Sequence, residues 1–214
     1  MTKSFTLQNL LRDLEYTILG TEAHAFLFRV FPDHQEKVVL EPGCGCGKFS
    51  LALALDGCEA YLIDVDHEVV EYARRVRGAL NSLLGYPLPV QIKVGDIHRM
   101  HFPESRFDLV FNEGVPQHWE LESLRQGAID EMTRVSKDLV MVMGNNGLLP
   151  EEQEADRTFQ FTYKGMPPTR KCFTPDELEM RLKKAGLKAV QVEPVTPGPI
   201  EDSVLIAGWG RKAG

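Results

Sequence analysis

Residues 38–49 read Val38-Val39-Leu40-Glu41-Pro42-Gly43-Cys44-Gly45-Cys46-Gly47-Lys48-Phe49. The apolar run Val38 to Leu40 stops at Glu-Pro-Gly, which reads as a short buried strand. From Lys48 to Leu55 the apolar residues suit a helix, closed by Asp56-Gly57. Between strand and helix stand glycines at 43, 45 and 47. Glycine lets the chain turn sharply and lets a ligand approach the backbone with no Cβ in the way. The helix that follows presents unpaired N–H groups at its start. A glycine-rich turn in this position predicts a ligand site.

The spacing bears on which ligand. A dinucleotide fingerprint, G-x-G-x-x-G, begun at Gly43 requires glycine where Lys48 stands. Begun at Gly45 it ends on Ser50, a partial match. Glu41 sits beside the turn, and a carboxylate there repels a pyrophosphate. It suits a ligand carrying positive charge, such as an aminoacyl group or a sulfonium.

Outward from this turn, strands and helices alternate. Leu7, Leu10, Leu11 and Leu14 recur at helical spacing, and a second short helix is expected over Glu22 to Val30. After the glycine turn, Ala60 to Ile63 reads as a strand. Asp66 caps a helix to about Leu84, with Val69, Ala73, Val76, Leu80 and Leu83 on one face. Strands follow at Val90–Val94, Phe107–Phe111 and Leu139–Met143, with a helix over Glu120–Val135. Thr174-Pro175-Asp176-Glu177 is a helix start with a capping box and proline at the first helical position. Val190–Val192 and Val204–Ala207 are the last strands. Their proline-containing connection is too short for a crossover helix, so they are expected to pair antiparallel. The alternation predicts an α/β fold: a doubly wound, mostly parallel seven-stranded sheet, helices on both faces, antiparallel last strand. It is read as one domain over residues 1–214. Its parts are an N-terminal helical cap (1–35), a cofactor-binding core (36–145), a substrate lid (145–172) and a C-terminal helix with strands (173–214).

Glu41-Pro42-Gly43-Cys44-Gly45-Cys46-Gly47 resembles the E/D-x-G-x-G-x-G signature of the class I S-adenosylmethionine-dependent methyltransferases. The resemblance covers residues 36–145 well and the ending more loosely. It implies S-adenosylmethionine as cofactor and S-adenosylhomocysteine as product. It also implies donor-binding roles for Glu41, Gly43, Gly45, Gly47, Asp64, Val65, Asp96, Ile97, Asn112 and Glu113. Asp64 ends the second strand, 21 residues after Gly43, where a carboxylate accepts hydrogen bonds from both ribose hydroxyls. Asp66 has the plainer role of helix cap. Asp96 falls where the family pairs with the adenine amino group, and Ile97 where it packs on the ring. Phe107-Asp108-Leu109-Val110-Phe111-Asn112-Glu113-Gly114 resembles the family's fourth-strand motif, whose end lies near the transferable methyl group.

Methyl transfer from a sulfonium is an in-line displacement, so the protein mainly aligns the reactants. A base is needed only where the nucleophile starts protonated. In Asn112-Glu113-Gly114-Val115-Pro116-Gln117-His118-Trp119, His118 is the candidate base and Glu113 a candidate holder of an ammonium group. Aromatic and basic residues between Asn145 and Cys172 suit a cover over the acceptor.

The formal net charge of −7 disfavours non-specific binding to polyanions. The N/D-P-P-Y/F pattern of methylases acting on nucleobase amino groups is absent after the fourth strand, so a DNA acceptor is not expected. No apolar run approaches the roughly 20 residues of a membrane helix, and a cytoplasmic protein is expected. The four cysteines, Cys44, Cys46, Cys58 and Cys172, have no metal-finger spacing, and no metal is expected. The favoured acceptor is a small molecule, with protein or RNA acceptors still open. Two alternatives stand beside it: a nicotinamide-dependent oxidoreductase, and a non-catalytic module that binds S-adenosylmethionine.

Overall fold

The computed structural model describes residues 7–149 and 172–213. Most of the expected lid, residues 150–171, lies outside the described residues. Two helices open the described chain, α1 (Leu7–Leu19) and α2 (Glu22–Val30). Then come β1 (Val38–Pro42), α3 (Lys48–Leu55), β2 (Glu59–Asp64), α4 (His67–Leu84) and β3 (Val90–Val94). The second half is β4 (Phe107–Glu113), α5 (Glu122–Val135), β5 (Ser136–Asn145), α6 (Pro175–Lys184), β6 (Lys188–Pro194) and β7 (Leu205–Arg211).

The strands form one seven-stranded sheet in the order β3-β2-β1-β4-β5-β7-β6. Pairing is parallel from β3 through β5, and β7 runs antiparallel to both β5 and β6. The fold class expected from the alternation is the fold observed. β7 lies between β5 and β6, which leaves β6 at the open edge.

Each face of the sheet has its own core. On one side Phe26 and Leu27 of α2, Phe49, Leu51 and Leu53 of α3, and Ala73, Val76 and Leu80 of α4 pack together with Val39, Leu62 and Phe111 of the sheet. On the other, Ala128, Ile129 and Met132 of α5 and Leu178 and Leu182 of α6 cover Leu40, Ile63, Val110 and Val140. The two-residue alternation along each strand produces this division.

Asp66 caps α4 as expected, its carboxylate accepting from Glu68 N at 2.9 Å. Leu83 does not join the buried face: it is 69% exposed, and its neighbour Leu84 packs on the core instead. Thr174 caps α6 by accepting from Glu177 N at 3.2 Å. The expected return bond of the capping box is replaced. The Glu177 carboxylate pairs with Arg125 of α5 at 2.9 Å and Arg181 of its own helix at 2.7 Å. Two guanidinium groups outbid one neutral backbone donor for a carboxylate. No described helix is long and apolar enough to cross a membrane.

Candidate active site

The chain reverses its direction of travel across the sheet between β1 and β4, and ligands of open α/β sheets bind at such switch points, beyond the strands' carboxyl ends. The glycine turn, Asp64, the turn at Asp96, and Glu113 all lie at those ends.

The glycine turn is fastened to β2. The Ile63 carbonyl accepts from Gly43 N at 2.7 Å and from Cys44 N at 3.1 Å. Asp64 then accepts from Gly45 N at 3.2 Å and from Asp66 N at 3.0 Å. The glycines at 43, 45 and 47 hold φ of +74°, +55° and +80°, a region side chains disfavour. Their surroundings differ. A Cβ on Gly43 would stand 2.4 Å from Val115 Cγ2, so the glycine turn touches the loop that follows β4. A Cβ on Gly47 would stand 2.5 Å from Leu62 Cδ2. A Cβ on Gly45 would meet nothing within 4 Å, so this peptide faces open ground beside the Asp64 carboxylate.

Glu41 lies behind the turn, buried, accepting from Ser50 N at 3.1 Å in the first turn of α3. Burial pushes its carboxyl up to about 8, against the opposing pull of Ser50 and Lys48. Lys48 Nζ reaches Glu113 Oε2 at 3.6 Å and lies 4.7 Å from the centre of the Phe49 ring. Glu113 therefore already has a cation beside it. His24 of α2 stacks on Phe49 with ring centroids 4.4 Å apart. Its Nδ1 accepts from Thr21 N at 3.1 Å, which assigns the proton to Nε2, 3.3 Å from the Lys48 carbonyl. Burial lowers its pKa, in keeping with a neutral ring. The Cys44 and Cys46 thiols are pushed up by burial, Cys46 to about 11, so both stay protonated as small residues of the turn.

Beyond β3, Asp96 Oδ1 accepts from His98 N at 2.9 Å. Val65 is exposed beside Asp64, whereas Ile97 is buried among the residues facing α5. Asn112 and Glu113 point to opposite faces of β4, as successive strand residues must. Glu113 faces Lys48, while Asn112 is wholly buried with its amide 3.2 Å from Met132 Sδ. The Asn112 side chain thus props the strand end from beneath and does not share the crevice with Glu113. His118 closes a single 3₁₀ turn, Pro116–His118, and is partly exposed.

Several residues of this neighbourhood went unmarked in the sequence. Arg125 is fully buried. It donates to the carbonyls of Trp119 at 2.6 Å and Gln117 at 3.0 Å, and lies 5.0 Å from the Phe173 ring centre. Gln117 in turn accepts from Asn145 N at 2.6 Å. Together they fix the loop after β4. A signal existed: Arg125 precedes Ala128, Ile129 and Met132 at helical spacing, a charge in an apolar stripe.

Residues 40–141 match the family model of the methyltransferase domain. Residues 40–141 are thus a methyltransferase domain by that match, and the chain has the fold of the class I, S-adenosylmethionine-dependent methyltransferases. Its fold is shared by an S-adenosylmethionine-dependent methyltransferase from Clostridium acetobutylicum, at TM-score 0.71 and 11% identity, covering 98% of this chain and 100% of that one. The CcbJ methyltransferase of Streptomyces caelestis aligns at TM-score 0.69 and 16% identity, covering 90% of each chain. Magnesium protoporphyrin IX methyltransferase from Synechocystis PCC 6803, solved with S-adenosylhomocysteine, aligns at TM-score 0.66 and 14% identity, covering 100% of this chain and 90% of that one. No curated protein matches the sequence. The methyltransferase match decides between the two cofactors that the partial dinucleotide pattern had left open.

Two substitutions separate the roles of the glycines. Gly43→Ala drives a methyl group into Val115 and is expected to lower stability by about 2 kcal/mol in urea unfolding. Gly45→Ala meets no neighbour, so its stability cost should stay near 1 kcal/mol, while calorimetry with S-adenosylhomocysteine should show the larger loss of binding.

Glu41 makes a second test through pH. Unfolded, it ionises near about 4.3; folded, only at about 8. Between those values the folded state keeps a proton that the unfolded chain has lost. Stability therefore falls as pH rises through this window and levels off above it. Glu41→Gln keeps an acceptor for Ser50 N and cannot ionise. Its melting temperature should exceed that of the wild type by roughly 5 °C at pH 8 and match it near pH 4, measured by scanning calorimetry without ligand.

Proposed function

We propose that this methyltransferase alkylates a small-molecule acceptor by in-line displacement in the crevice between the β1 and β4 loops. The observation that carries the reading is the open ground at Gly45, beside Asp64 and in front of the buried Glu41. The carboxylates of Asp64, Asp96 and Glu113 lie at these strand ends, with Lys48 beside Glu113 and Glu41 buried behind the turn. Such a lining suits a cationic adenosyl amino acid and opposes a pyrophosphate.

The residues present fit the donor. Asp64 would take the ribose hydroxyls, and Val65 and Ile97 would flank the adenine, whose amino group Asp96 would accept. The glycine turn and Glu41 would hold the aminoacyl end. When bound, S-adenosylmethionine supplies a methyl group already activated on sulfur. Helices α1 and α2 would act as a cap beside the donor. His118 would take a proton from an acceptor that arrives protonated, and Glu113 would steady an ammonium group in exchange for Lys48. The net charge of −7 and the acidic strand ends favour a small acceptor over a nucleic acid.

Asp64→Asn halves the acceptor capacity at the ribose while leaving one oxygen for the turn. Calorimetric affinity for S-adenosylhomocysteine should fall at least tenfold, and because either Gly45 N or Asp66 N loses its acceptor the melting temperature should fall by roughly 5 °C. Wild-type protein that gives neither heat nor stabilisation with this product would overturn the reading. With a metabolite pool as acceptor and labelled donor, His118→Ala should retain product binding and lower turnover about 100-fold. Label that appears only in protein would reassign the acceptor class.

A further inference from the structure

The turn after β3 is joined to the start of α5 by one imidazole. His98 Nδ1 lies 3.2 Å from Asp96 Oδ1, the same oxygen that its backbone N–H engages. Its Nε2 lies 2.9 Å from the Leu124 carbonyl. A carbonyl and a carboxylate both only accept, so the two contacts are hydrogen bonds together when the ring is an imidazolium, donating through Nε2 to Leu124 and through Nδ1 to Asp96, and the pair of bonds sets the plane of the ring. The ring packs on Trp119 with centroids 4.6 Å apart. Gly127 of α5 lies alongside, where a Cβ would come within 3.6 Å of His98 Cδ2. The side chain is only 13% exposed, so the ring is a wedge with little freedom, held from three directions.

We propose that His98 is a positioning residue for donor selectivity, fixing the rotation of the Asp96 carboxylate so that the crevice distinguishes a 6-amino purine from a 6-oxo purine. The inference rests on the reading of Asp96 as the partner of the adenine amino group. A carboxylate on a free side chain rotates about two torsions and can turn toward water. With Oδ1 held by a ring that is itself held by Leu124 and Trp119, Asp96 presents one orientation to the base. A donor N–H is then rewarded, and a purine that turns an oxygen to the same place meets a carboxylate that cannot swing aside. The same ring contacts Trp119 and Leu124, on either side of the entry to α5, so the base-reading turn and the loop that carries His118 share one support.

The test is the affinity ratio between S-adenosylhomocysteine and S-inosylhomocysteine, which differ at purine position 6, measured by calorimetry on the full chain. Wild type should prefer the 6-amino compound at least tenfold. His98→Ala should bring the ratio below threefold. His98→Gln, whose amide can still reach the Leu124 carbonyl but not Asp96 in the same pose, should do likewise and guards against misfolding of the alanine variant. His98→Asn, whose amide nitrogen can take the place of Nδ1, should restore much of the preference. A ratio preserved in His98→Ala or His98→Gln, with both affinities lowered equally, marks a merely structural residue and overturns the proposal alone. Wild-type binding of both compounds without preference overturns it together with the Asp96 reading. No wild-type binding of either compound takes down the donor reading on which both depend.

Discussion

The fastening of the glycine turn to the end of β2 is the constraint on which the site depends. One carbonyl, that of Ile63, takes two N–H groups, and the neighbouring Asp64 carboxylate takes a third. Without these bonds the donors of a turn in left-handed conformation would have to find water. With them, β1 and β2 end in one rigid lip. Val115 rests against Gly43, so the loop after β4 is set by the same lip. The residues read as donor-binding are thus placed by backbone bonds, and those read as acceptor-facing by the side chains of Val115, Gln117 and Arg125.

Much of this was legible in the sequence where one signal was local and uncontested. Asp66 before an amphipathic stretch marked the start of α4, and Glu22–Val30 emerged with the expected bounds. Strand ends were underestimated, β4 by two residues and β5 by several, because polar residues such as Asn112 and Ser136 continue a strand once neighbours supply its hydrogen bonds. The parallel pairing followed from the alternation of strands and helices, and the antiparallel ending from the short last connection. What could not be read was the partner of a side chain with several offers. Glu177 carries the signature of a capping box and spends its carboxylate on Arg125 and Arg181, which arrive from tertiary contact.

The site divides in the same way. Positions tied to a backbone conformation, the three glycines and Asp64, could be found by spacing, since their role follows from where a strand stops. Lys48, Arg125 and His98 act through partners far along the chain, 65, 52 and 26 residues away for Glu113, Glu177 and Leu124. No window of sequence contains both halves of those contacts. Arg125 is the partial exception, since a guanidinium in the apolar stripe of a helix must either be exposed or find acceptors. It finds two carbonyls and a carboxylate, and in doing so it holds the loop that carries His118.

Glu41 connects stability to function. A buried carboxyl that accepts from the backbone of Ser50 is a poor choice for a fold whose only task is to persist, since ionising it costs free energy that an amide would not. The surrounding apolar residues cannot supply a counter-charge, and Lys48 is already beside Glu113. On the proposed reading, a cationic ligand seated before the turn would supply the missing partner. Glu41 would then release the proton that burial keeps on it, and the cost of its burial would become selectivity for charge. A neutral residue at this position would raise stability and remove the field that separates a sulfonium-bearing amino acid from a phosphate-bearing nucleotide. The same low-dielectric surroundings that push the carboxyl up to about 8 amplify its attraction once it is ionised, so the cost and the selectivity have one origin.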